Sequence, residues 1–452
     1  MKKAITYKST NGKVSGVSFR DALLKGLAAD GGLFMPDTIS HISITEFEHF
    51  KDLNYHEMAT EILDRYTGAD IAKNVLSKLC VDAYNFEIPL EQISEKRFIL
   101  RLDQGPTASF KDFAARLMSR LMQHFLTEEN RNLNILTATS GDTGSAVANA
   151  FHGQNNIKVI ILYPENEVTL MQRKQMTTLG GNISIIAIRG TFDDCQSLVK
   201  RAFPDDSLKD IALSSANSIN IGRLLPQTVY YFYALIKAGR ELPGKVVFSV
   251  PSGNFGNLTA GLFAMKMGLP VKKFIVSTNA NDEVPVFLRT GKYAPVVPSR
   301  NCISSAMNVG HPSNLSRMIA LYGGEMDEKG NITIQPDFEG IKKDIFGVSV
   351  SDDETRDTIK RSWNENRVML EPHGAVAWRG IDEYMRYFRE DDIYISLETA
   401  HPAKFPDELE RVLKFRPSLP PSMSQLETKN EFFDIIDNNY SDLKKLILNK
   451  CI

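Results

Sequence analysis

The apolar positions change period several times along the chain, and each change predicts an element. Over 52–65 and 71–84 they recur every three or four residues, predicting two helices in a mixed, mostly helical N-terminal region. Gly31-Gly32 followed by Met35-Pro36 marks a tight turn within it. Phe113, Leu117, Leu121 and Phe125 share one face of a helix over 111–126. Continuous apolar runs then alternate with helical patterns. Strands are predicted at 133–139, 157–163 and 183–189, and helices at 143–153, 167–179 and 193–203. Strands at 245–250 and 273–277 flank a helix that starts near Asn257, and another strand lies at 393–397. Apolar strands separated by helices require cover on both faces, which is the signature of a parallel sheet. Two such groups predict two doubly wound α/β domains.

Composition narrows the class. The 452 residues have room for two or three domains, and 42% apolar with 24% charged residues is the balance of a globular protein with a full core. Fifty-three basic against 55 acidic side chains give a net charge of -2, without the basic excess of a nucleic-acid binder. The apolar run at 157–163 is too short to cross a bilayer. Met1-Lys2-Lys3 lacks the apolar stretch that follows in a secretory signal, so a cytoplasmic enzyme is expected. Cys80, Cys195, Cys302 and Cys451 form no CxxC pair and are expected to be reduced core residues. His56-Glu57 opens like a zincin motif, but Thr60 stands in the place of the second histidine, so no metal is expected. The 239–245 segment has Walker-A spacing, yet Val246 replaces the hydroxyl residue and Lys245 precedes a strand, which rejects a P-loop.

Five segments carry candidate chemistry. Pro251-Ser252-Gly253-Asn254-Phe255-Gly256-Asn257 joins a strand to a helix start, where free N–H groups and the helix dipole receive a phosphate; by itself it also reads as an ordinary turn. The 137–145 segment, with Ser140, Gly141, Asp142 and Thr143, offers hydroxyls and N–H groups to a carboxylate, or simply caps a helix. Gly105 to Asp112 feeds Lys111 into a helix's first turn, where the dipole disfavours its charge. A lowered pKa there suits a Schiff-base lysine, the alternative being a surface lysine with a packed stem. Asn217, Ser218 and Arg223 form a polar cluster at the entry to a helix reaching Ala238, with Arg223 suited to bidentate phosphate binding. Glu398 to Phe405 follows the C-terminal end of a strand, where α/β sites sit.

In this order the segments resemble the threonine synthase family, pyridoxal-phosphate (PLP) enzymes of the tryptophan-synthase-β fold, also called fold type II. The resemblance runs from Val17-Ser18-Phe19-Arg20 through Gly31-Gly32-Leu33-Phe34-Met35-Pro36 to Thr399-Ala400-His401-Pro402-Ala403-Lys404-Phe405. It implies that Lys111 carries PLP as a Schiff base and that Gly253, Asn254, Phe255, Gly256 and Asn257 cradle the cofactor phosphate. Thr399 would meet the pyridine nitrogen. Ser140, Gly141, Asp142 and Thr143 would receive the substrate carboxylate beside the cofactor's phenolic oxygen, while Asn217, Ser218 and Arg223 would hold the substrate phosphate. Many relatives of the fold carry asparagine where Asp142 stands, and a carboxylate there would repel a phenolate. The implied reaction turns O-phospho-L-homoserine and water into L-threonine and phosphate, with Lys111 as the base. The rival readings are a phospho-lyase or dehydratase that ends in a 2-oxo acid, and a non-catalytic PLP-binding relative. The resemblance further implies a small domain over 103–208, set between residues 1–102 and 209–452 of a larger one, with PLP in the cleft. Its longer members suggest a monomer.

Overall fold

Two parallel sheets account for the alternating periods in the computed structural model, which describes residues 5–239, 245–388 and 391–451. The large sheet runs in the order Ile345–Ser349, Val271–Thr278, Val246–Pro251, Ile393–Glu398, Arg97–Arg101, Leu90–Ser94. Its strands are parallel except for the last, which pairs antiparallel with Arg97–Arg101. The small sheet, Asp434–Asp437, Ile183–Arg189, Ile157–Pro164, Leu133–Ala138 and Leu213–Ser214, is parallel throughout. The start of the chain (1–4) and residues 240–244 of the P-loop-like segment lie outside the described residues.

Period-two alternation divides each sheet between two cores. In the small sheet Ile135, Val159, Ile161 and Ile185 face a core shared with the large sheet and the N-terminal helices. Leu136, Ile160, Leu162, Ile186 and Ile188 face a separate layer with Cys195 and Leu198. In the large sheet Phe248, Val250, Phe274 and Leu397 join the shared core, while Val247, Ile275 and Tyr394 meet Trp378 and Ile381 on the other side. The N-terminal helices Tyr55–Thr67 and Lys73–Ala83 put Met58, Ile62, Leu63, Leu76 and Cys80 into the shared core, as their stripes predict. Among the described residues no helix is long and apolar enough to cross a membrane.

Three features differ from the sequence reading. The helix expected to run to Ala238 is broken into Ile221–Leu224, a 3-10 turn Leu225–Gln227 and Thr228–Ala238, because Pro226 cannot continue an α-helix interior. The sheet pairing also crosses the boundary drawn at 208/209. Leu213–Ser214 and Asp434–Asp437 are strands of the small sheet, and Leu443 and Ile447 of the final helix Tyr440–Cys451 pack in its outer layer. Edge strands this short, one of them bounded by aspartates, carry too little apolar signal to be seen. The Leu90–Ser94 and Arg97–Arg101 hairpin escaped detection because its outer strand is only partly buried.

Candidate active site

The segments singled out by sequence converge at the C-terminal ends of the central strands. Lys111 is the first residue of the helix Lys111–Glu129. The turn before it is fixed from two sides. Asp112 accepts hydrogen bonds from Thr107 N–H (2.8 Å) and Oγ1 (2.7 Å). The N–H of Phe110 donates to the Thr399 carbonyl at 2.9 Å, and that of His401 to the Ala108 carbonyl at 3.0 Å. The lysine turn and the 399–401 segment are thus stitched together. Lys111 Nζ lies 5.0 Å from the Phe110 ring centre and 3.7 Å from Asp142 Oδ2. Burial pushes its pKa down to about 8; Asp142 opposes this, while Lys404 and Arg223 add to it.

After the Leu133–Ala138 strand, Thr139 Oγ1 accepts the N–H groups of Gly141 (2.9 Å) and Gly144 (2.7 Å), which shapes the entry to the helix Asp142–Phe151. Gly141 has φ +126°, and a Cβ there would lie 2.5 Å from Gln172 Cδ, so the position admits no side chain. Asp142 Oδ1 receives Lys404 Nζ at 2.7 Å and Gln172 Nε2 at 2.9 Å. Burial works against its ionisation, but Lys404, Lys111 and Gln172 overcome that and hold Asp142 well below the usual carboxylate range. The charge of Asp142 is therefore already matched within the protein.

The loop after Val246–Pro251 leads into the helix Gly256–Lys266. Phe255 adopts the left-handed region at φ +60°, and Thr259 N–H is bonded back to the Phe255 carbonyl at 2.9 Å. The N–H groups of the first helical turn have no acceptor within their own helix. Gly253 presses on the Ala306 carbonyl oxygen, which a Cβ would meet at 2.5 Å. Asn257 steadies the loop through the Pro251 carbonyl (2.8 Å) and Leu258 N–H (3.0 Å).

On the remaining side, Asn217 Oδ1 accepts Thr137 Oγ1. The buried Arg317 holds the carbonyls of Ser218 (3.2 Å) and Ile219 (2.6 Å). Arg223 is 4% exposed, donates to the Ala216 carbonyl at 2.6 Å and, among the described residues, makes no ion pair and leaves Nε without a partner. Burial lowers its pKa to about 10, with Asp112 opposing.

A cavity of about 780 Å³ joins these walls. It is lined by Lys111, Ser140, Asp142, Thr143, Asn217, Ser218, Arg223, Gly253, Asn254, Phe255, Gly256, Asn257 and Thr399. Gly141 alone of the predicted residues lies behind the wall. Sequence reasoning missed Gln172 and Lys404, which act on Asp142 from outside the cavity, and His373, which lines it. His373 Nε2 accepts the Ala306 N–H at 3.0 Å, while its Nδ1 faces Glu371 at 2.5 Å. Thr10, Asn11, Ala28 and Leu33 also line the cavity, from a region that showed no chemistry in sequence. Lys404 was visible as part of the final motif, and Gln172 as the fourth residue of a capping box that starts at Thr169.

The chain's own features fit PLP: a buried amine of lowered pKa, a glycine-shaped cradle at a helix start, and a neutral hydroxyl at the end of a central strand. Residues 87–398 match the family profile described as pyridoxal-phosphate dependent enzyme, which makes the chain a member of that PLP-dependent class. Residues 6–84 match the threonine synthase N terminus, and 374–447 the threonine synthase C-terminal region. The threonine synthase of Escherichia coli is 38% identical over 434 residues, 96% of this chain and 97% of that one. Its crystal structure superposes with a TM-score of 0.88, covering 98% of this chain and 99% of the other. A PLP-bound threonine synthase from Brucella melitensis gives 0.91 at 33% identity, covering 99% and 100%. The chain belongs to the threonine synthase family.

Proposed function

We propose that the chain converts O-phospho-L-homoserine and water into L-threonine and phosphate with PLP as cofactor. The observation that carries this reading is Arg223, a buried guanidinium on the same cavity as Lys111 whose Nε has no hydrogen-bond partner and which makes no ion pair among the described residues. A cationic group buried without an anion is costly, and a phosphate removes that cost. The glycine loop offers a second, independent phosphate site, so the cavity suits one phosphate from the cofactor and one from the substrate.

In this reading Lys111 would hold PLP, the amides of residues 253–257 would bind its phosphate, and the Thr399 hydroxyl would serve its ring nitrogen. When bound, PLP supplies the electron sink that makes hydrogens on the substrate acidic. Ser140, Thr143 and the start of the helix Asp142–Phe151 grip the substrate carboxylate. Arg223, Asn217 and Ser218 fix the substrate phosphate so that the Cγ–O bond can break with its charge matched. Lys111 Nζ, displaced from PLP by the substrate amine and with a pKa lowered to about 8, would take the Cα proton and then one Cβ proton. Phosphate would leave Cγ with the Cγ–O electron pair, and Lys111 would return a proton to Cγ. Water would then add its hydroxyl at Cβ while a proton returns to Cα, and threonine would leave.

The test is a product balance with the full chain, PLP and O-phospho-L-homoserine. Phosphate and threonine are expected in equal amounts. Phosphate accompanied by 2-oxobutyrate would replace the synthase by a lyase, and absence of phosphate release would remove the substrate assignment.

A further inference from the structure

One carboxylate in the site serves two ammonium groups. Asp142 Oδ1 lies 2.7 Å from Lys404 Nζ, whereas Asp142 Oδ2 lies 3.7 Å from Lys111 Nζ. Lys404 is fully buried, on the turn Pro402–Lys404 of the same segment that delivers Thr399. Its remaining contact is the Thr107 carbonyl at 2.9 Å, which also accepts Gln175 Nε2 at 3.0 Å. It does not line the cavity, so it acts only through its neighbours.

We propose that Lys404 is a positioning residue whose ammonium group neutralises Asp142 and so leaves Lys111 free to lose its proton and to swing between cofactor and substrate. The physical case is one of competition. A buried carboxylate needs a cation close by. Without Lys404 the nearest one is Lys111, which would be retained as an ammonium ion in a direct pair with Asp142. With Lys404 in place, the closer pair satisfies the carboxylate and a second positive charge stands behind it. The same pairing removes the conflict between Asp142 and a phenolic oxygen, because the carboxylate presents a matched charge to the cavity. The charged groups acting on Lys111 are Asp142, Lys404, Arg223 and Glu371, from four separate elements, and only Lys404 lies closer to Asp142 than Lys111 does. The inference rests on the assignment of Lys111 as the cofactor lysine.

The variant that separates charge from hydrogen bonding is Lys404→Gln, which keeps donors for Asp142 and Thr107 but carries no charge; Lys404→Arg keeps the charge. The readout is competitive labelling of Lys111 by acetic anhydride across pH in the full chain without added cofactor, quantified by mass spectrometry. The half-labelling pH is expected to rise by about one unit in Lys404→Gln and to stay near the wild-type value in Lys404→Arg. A Lys404→Gln profile that coincides with wild type would overturn the proposal. Should Lys404→Gln fail to fold, Asp142→Asn in the wild-type background carries the test. It removes the shared anion, so the half-labelling pH must fall, and an unchanged value overturns the coupling. Neither outcome depends on turnover, so a wrong substrate leaves this test intact.

Discussion

Lys111 owes its chemistry to its surroundings more than to its place at a helix start. An ordinary lysine with a pKa near 10.5 is a free amine in about one molecule in three thousand at pH 7; at about 8 the share is roughly one in ten. The burial that lowers the pKa favours the neutral form, so the free amine accumulates as pH rises and is half-populated near pH 8. Capture of PLP by the full chain should therefore speed up about tenfold per pH unit below 7 and level off above about 8. A stopped-flow pH series that rises steadily to pH 10 would contradict this. Arg223→Ala should raise KM for the phosphorylated substrate about 10- to 150-fold, the equivalent of about 1.5–3 kcal/mol for a charged hydrogen bond. PLP affinity should change little, and equal loss of both would merge the two phosphate sites into one. The sequence displayed both residues, since a lysine at a helix N-terminus and an arginine among amides are local signals. It did not display Lys404 or Gln172 as partners of Asp142, because their contacts cross 262 and 30 positions of chain and depend on how three strand ends meet.

At the scale of elements, loops after strands do the positioning, and glycines decide how closely they approach. Gly253→Ala would drive a methyl group against the Ala306 carbonyl oxygen, where only backbone can yield. The loop should shift at a cost of about 1–3 kcal/mol, seen in urea unfolding, and PLP affinity should drop with it. Unchanged stability and affinity would mean that the cradle is not rigid. The strand–loop–helix order of this segment was readable because apolar runs are continuous and the glycines punctuate them. The break at Pro226 was equally printed in the chain, but the apolar pattern of 221–238 continues across it and hides the turn.

The whole molecule joins the two sheets through one shared core, to which the N-terminal helices and one face of each sheet contribute. The end of the chain returns to the small sheet, so the sequence is not a simple succession of domains. Leu443, fully buried in the outer layer of that sheet, tests the point. Leu443→Ala should cost about 2–4 kcal/mol of stability while turnover at low temperature persists. A loss well under 1 kcal/mol would mean that the final helix is only loosely docked. The parallel architecture was legible from alternating periods, whereas the membership of short edge strands was not, because pairing with a neighbour, not composition, makes them strands.

The central claim, that one cavity is built around Lys111 to hold PLP, is tested most directly by trapping. The full chain loaded with PLP is reduced with borohydride and digested, and the modified lysine is located by mass spectrometry. The account predicts the phosphopyridoxyl group on Lys111. Its appearance on Lys404 or on any other lysine, with Lys111 unmodified, would contradict it.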